Sequence, residues 1–265
     1  MKRLSNVRVV AAALALASAC GGAAAAEYAP LPAASFPTVF PPDGKIAPAK
    51  VDAFTMRTEP VTNGEFLAFV PAHPEWRRGK APAVFAETSY LSHWTTPDTL
   101  GDAVRADQPV THVSWFAATA YCESEGARLP TWHEWEIAAA ADETRADART
   151  DPAWRERMLT WYSRPSTTAL SPVGKTPANV HGIYDLHGLV WEWVDDHASL
   201  MVSGDNRNQG DPDLLKFCGA GALSVADREN YAVLMRIAML SSLSAASTTK
   251  NVGFRCVRPG AGGTK

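Results

Sequence analysis

Nine tryptophans and nineteen prolines are spread over 265 residues, yet no long run keeps a helical or strand period. That combination constrains the fold more than any other feature. Each indole ring buries a large area with defined geometry, whereas proline interrupts helices and central strands. Such a chain draws its buried area from tryptophans set on short elements and turns. At 46% apolar and 20% charged residues the composition is globular. With no repeats, heptads or splitting linker, the length suits one domain with a sizeable core.

Residues 1–26 read as an export segment. Lys2, Arg3 and Arg8 precede an apolar stretch from Val9 to Ala19, which is too short to span a bilayer. Ala24-Ala25-Ala26 offers one cleavage site, making the segment a signal peptide. Ala17-Ser18-Ala19-Cys20 offers a lipobox that would place a lipid anchor on Cys20. The expected location is periplasmic or otherwise exported, possible membrane anchoring through Cys20 included, with no transmembrane segment in the mature chain. Losing three cations takes the net charge from −3 to −6. An acidic exported chain is not expected to bind nucleic acid. Its oxidising compartment permits disulfides.

The mature chain divides into an extended, irregular, proline-rich lead-in (27–50), a domain (51–258) and a flexible tail (259–265). Val51 to Met56 alternates like a strand. Thr62-Asn63-Gly64-Glu65 and Thr131-Trp132-His133-Glu134 are capping boxes. Ser114 is placed to cap a helix whose stripe holds Trp115, Ala118 and Cys122, with Gly126 as its stop. Residues 74–112 read as loop, 143–157 as a solvated charged segment and 160–182 as irregular. Residues 199–213 read as an exposed loop, with short strands near 215–225 and 252–257. None of the seven histidines forms a His-x-x-x-His pair, and no serine-hydrolase or nucleotide motif occurs. His187, Glu192, Asp195, Asp196 and His197 are metal-compatible in residue type only.

Several segments, in order, resemble the sulfatase-modifying-factor family, whose best-known member is the formylglycine-generating enzyme. They are Pro60-Val61-Thr62-Asn63, Pro109 to Trp115, Ala120-Tyr121-Cys122 and Arg128-Leu129-Pro130-Thr131. Glu134-Trp135-Glu136, Gly182 to Leu186, Gly188 to Trp193 and Asn251 to Cys256 complete the set. The resemblance implies an α+β, formylglycine-generating-enzyme-like fold, distantly similar to C-type lectins, with much irregular structure in a single domain.

The family enzyme holds copper(I) between two thiolates five residues apart, and soft thiolates are what that metal state requires. Counting back from Gly253, those places hold Asp227 and Ala232. Copper-dependent oxidation is therefore not expected, and catalytic residues stay unassigned. Tyr231 and Arg236 stand as groove-lining groups, with a structural ion pair as the other reading of Arg236. The resemblance also implies a disulfide between Cys122 and Cys256. Cys218 is left over: a reactive thiol, a link to another chain, or a small buried apolar residue.

Asp185, Gly188, Val190 and Glu192 fall where family members bind calcium, and two carboxylates with two carbonyls are hard oxygen ligands. Read alone, Asp185 equally caps a turn and Glu192 equally sits in a salt bridge.

Three functions follow from the resemblance. The first is an exported accessory or maturation factor for a secreted redox or metalloenzyme client, as in relatives that accompany secreted copper nitrite reductases or act in siderophore maturation. The second is an oxidoreductase of altered chemistry acting on a peptide or small molecule in the same groove. The third is a calcium-stabilised lectin-like binding module.

Overall fold

The computed structural model describes residues 26–38, 48–163, 169–197 and 231–260. Cys20, Cys218, Asp227, the export segment and the stretch 198–230 lie outside the described residues. Strand β1 (Tyr28–Leu31) pairs antiparallel with β4 (Phe54–Arg57), which pairs with β7 (Val257–Pro259), giving the order β1-β4-β7. β2 (Ala34–Phe36) pairs with β3 (Ala49–Val51) in a second small sheet. β5 (Trp191–Glu192) lies parallel to β6 (Val252–Gly253). The helices are α1 (Asn63–Phe69), α2 (Trp115–Ser124), α3 (Trp132–Ala139), α4 (Pro152–Tyr162) and α5 (Tyr231–Ser241). This is a mixed α+β domain in which irregular chain carries much of the structure.

The helix starts follow the sequence signals. Thr62 and Thr131 each accept a hydrogen bond from the N–H of the glutamate three residues on. Each glutamate carboxylate in turn accepts from the cap residue's N–H at 2.8 Å. Ser114 caps α2 by accepting from Ala117 N–H, and Gly126, at φ 65°, ends it.

Three expectations need correcting. The lead-in is not irregular, because it supplies β1, β2 and the start of β3. Pro30 is tolerated in β1 because β1 is an edge strand, and Pro37 falls just after the end of β2. The strand expected over 51–56 is split at Asp52-Ala53, since β3 and β4 belong to different sheets. The charged stretch 143–157 is not wholly solvated. Asp151 accepts from Ala153 N–H at 2.8 Å and Pro152 takes the first helical position, so α4 begins there and buries Trp154 and Met158.

The core is aromatic. Phe66 stacks on Tyr121 with ring centroids 5.8 Å apart, and Phe254 meets both rings edge-on. Trp94, Trp132 and Trp193 are almost fully buried. Their indole N–H groups donate to Asn63 Oδ1 (3.3 Å), Glu136 Oε2 (3.1 Å) and the Val113 carbonyl (3.0 Å). Each thus buries a large ring without stranding its one donor.

Candidate functional site

Cys122 on α2 and Cys256, just before β7, form a disulfide with Cα atoms 5.5 Å apart. It joins residues 134 positions apart and sits in the core, both cysteines having no exposed surface. The pairing implied by the resemblance is therefore present.

The Asp185–Glu192 turn is organised by Arg255, which sequence reasoning did not single out. Arg255 and Glu192 both have no solvent exposure. Arg255 Nε donates to Glu192 Oε1 and Oε2 at 3.1 and 2.9 Å, and Nη2 donates to Oε1 at 2.8 Å. Trp135 Nε1 donates to Oε2 at 2.8 Å. The remaining Arg255 donors reach the carbonyls of Arg57 (3.2 Å), Thr58 (3.3 Å) and Tyr184 (2.9 Å). One guanidinium thereby fastens β4, the 184 turn and β5 together.

These contacts bear on the calcium expectation. Three N–H groups, Arg255 Nε and Nη2 and Trp135 Nε1, thus engage both oxygens of Glu192. Asp185, at φ 58°, accepts from Gly174 N–H (2.5 Å) and from the Thr176 hydroxyl (2.8 Å). A calcium ion would have to displace Arg255 or Trp135 from Glu192, so the residues present do not fit a calcium shell as arranged. Gly188 and Val190 keep their places in the turn, with Gly188 at φ 109°. A Cβ there would lie 3.1 Å from Trp161 Nε1, so the glycine leaves room for that indole. Among the described residues, no group of three or more His, Cys, Asp or Glu is placed to hold a metal ion.

Arg236 lies on α5 and points into the protein. It is 1% exposed. Its Cζ lies 3.5 Å from the Trp135 ring centroid and 5.7 Å from that of Trp132. Nη2 donates to the Glu192 carbonyl at 2.5 Å, and Nε has no partner. Burial lowers its pKa to about 10. A helix beginning at Tyr231 carries this position, and its face there is turned inward. Tyr231 and Ala232 open the same helix.

Beyond the turn lies a cavity of about 620 Å³ between α4 and residues 176–188. Trp154, Met158, Trp161, Ile183, Leu186 and His187 supply its apolar and aromatic lining. His187 stands edge-on to Trp135 and Trp154 at 5.7 and 5.6 Å. Its Nε2 lies 2.8 Å from the Ala139 carbonyl, so that nitrogen carries the proton. Nδ1 then holds a lone pair with no partner. Burial pushes the imidazole pKa down to about 4, so the ring is neutral near pH 7. His187 is thus part of an aromatic wall, away from any metal cluster. The cavity was invisible in the sequence because α4 was read as solvated.

Residues 32–259 match the family described as Sulfatase-modifying factor enzyme 1-like domain. The formylglycine-generating enzyme of Streptomyces coelicolor is 29% identical, with 82% of this chain and 82% of that protein covered. The inactive C-alpha-formylglycine-generating enzyme 2 of Mus musculus is 30% identical, with 81% and 80% covered. Among solved structures, PvdO from Pseudomonas aeruginosa aligns at a TM-score of 0.47 and 20% identity, covering 88% of this chain and 94% of that one.

Proposed function

The chain belongs to the sulfatase-modifying factor enzyme 1-like family, and from that premise we propose that it is an exported accessory or maturation factor for a secreted redox or metalloenzyme, without copper-dependent formylglycine-generating activity. The cysteine inventory carries this reading. The chain has four cysteines. Cys122 and Cys256 are consumed by the disulfide, and Cys20 belongs to the export segment. Cys218 alone remains, and one thiolate does not make a two-thiolate copper(I) site. Asp227 and Ala232 stand in the two places that the resemblance gives to those thiolates. A hard carboxylate and a methyl group are poor substitutes for them.

A binding role uses what remains: a rigid core, a disulfide suited to an oxidising compartment, and the family's groove region with its metal ligands gone. The purified mature protein is supplied with copper(I) and a cysteine peptide under oxygen, and aldehyde formation is followed by mass spectrometry. The expected result is no aldehyde. Catalytic turnover to formylglycine overturns the reading. Affinity purification from the periplasm is expected to recover one secreted redox or metalloenzyme, and recovery of none removes the client from the proposal.

A further inference from the structure

We propose that the cavity between α4 and residues 176–188 is a binding site for a small organic cation with an apolar body, such as an arylalkylamine. The proposal stands apart from the accessory role and from the copper question. The cavity's 620 Å³ falls within the range of roughly 300–1,000 Å³ common for small-molecule sites.

Its charge is one-sided. Asp142, Glu143, Glu156 and Asp185 line it, against one basic residue, Arg157. Arg157 is held by Glu143 at 2.8 and 3.1 Å. Asp142 is held by Arg145, with Nε donating at 2.9 Å, and Asp185 accepts from Gly174 and Thr176. Glu156 is the lining carboxylate left without a partner among the described residues.

The apolar wall agrees in sign. Trp154 and Trp161 supply indole rings, and the negative face of an indole attracts cations. Gly188 leaves the space that the Trp161 indole occupies. The unpaired carboxylate and the indole rings both favour a positively charged group. Met158, Ile183 and Leu186 favour an apolar body behind it.

The test is calorimetric titration of the full mature chain with phenethylamine, 2-phenylethanol and phenylacetate, which share one body and differ in charge. Phenethylamine is expected to bind about tenfold more tightly than either of the others, the scale of one desolvated cation–π contact. Glu156→Gln is expected to weaken the amine by about threefold while leaving the alcohol unchanged. Ala153→Phe, on the exposed first turn of α4, crowds the entrance and is expected to weaken both. Each position is exposed, so an unchanged melting temperature checks the fold. Phenylacetate binding as tightly as the amine overturns the proposal. So does no phenethylamine binding at millimolar concentration, or parent-like binding in both variants.

Discussion

Replacing Glu192 by glutamine removes one charge from a pair in which neither side chain reaches solvent. The carboxylate accepts three contacts from Arg255 and one from Trp135. A glutamine keeps one oxygen and turns an NH2 group towards donors, so at least one donor loses its acceptor. Breaking a buried pair from one side costs about 3–5 kcal/mol, because the remaining charge stays buried without compensation. With a urea m-value of about 2–3 kcal/mol/M, the unfolding midpoint should fall by about 1–2.5 M. Tryptophan fluorescence and far-UV circular dichroism, recorded on oxidised protein, report the midpoint. The measurement is repeated in EDTA and in millimolar calcium. Since Arg255 and Trp135 already engage both oxygens of Glu192, the loss should be the same in both. A loss below about 1 kcal/mol refutes the buried-pair reasoning. A loss confined to calcium-containing buffer shows that Glu192 serves a cation rather than Arg255.

Replacing Cys122 and Cys256 by alanine should cost about 3–5 kcal/mol, since the bridge spans 134 residues; urea unfolding of the double variant reads this, and a change near zero contradicts it. Thr131→Ala removes the cap of α3 and should cost about 1 kcal/mol, whereas Thr131→Asn should restore most of it. Acid should destabilise the fold through His93 and His187, whose pKa values burial lowers to about 4 from 6.5. Below pH 6.5 the unfolded chain takes up protons that the folded chain refuses, so stability falls by up to about 1.4 kcal/mol per pH unit per histidine, down to pH 4. His187→Phe should flatten that slope relative to the parent, and an unchanged slope counts against the assignment.

What the sequence made legible was local or cumulative. Thr62, Ser114 and Thr131 announce helix starts because a cap and its partner lie within one turn. The ordered segments from Pro60 to Cys256 announce the family because many weak signals keep one order. The disulfide followed from that resemblance. What stayed hidden depends on long-range meetings. β1 needs β4 as its partner, and nothing within Tyr28–Leu31 says so. Asp151-Pro152 is a helix start that charge density concealed, and the cavity was missed with it. The burial of Arg236 is not legible locally, because a short window cannot show which face of a helix points inward. Arg255 stood in view within Gly253-Phe254-Arg255-Cys256, but its carboxylate lies 63 residues away.

Short elements leave many backbone carbonyls without a ladder partner, and buried ones must still be matched. Here guanidinium groups do part of what longer strands do elsewhere. Arg255 takes up the carbonyls of Arg57, Thr58 and Tyr184 while compensating Glu192. Arg236 takes up the Glu192 carbonyl against the Trp135 face. Arg57 bonds Glu65 and Glu125 at the end of β4. A planar fork with five donors spans partners on several sides, and an ammonium on one nitrogen does not. Arg255→Lys should therefore behave as a loss rather than a conservative change. Thr58 O keeps its bond from the Tyr184 N–H at 2.8 Å, but a lysine that keeps the charge for Glu192 loses the guanidinium's reach to the Arg57 and Tyr184 carbonyls, and each one left unmatched costs about 1–3 kcal/mol. If the pair's charge alone held this region, Arg255→Lys would stay near parent stability while Glu192→Gln fell. If the fork's geometry holds it, the two variants fall together.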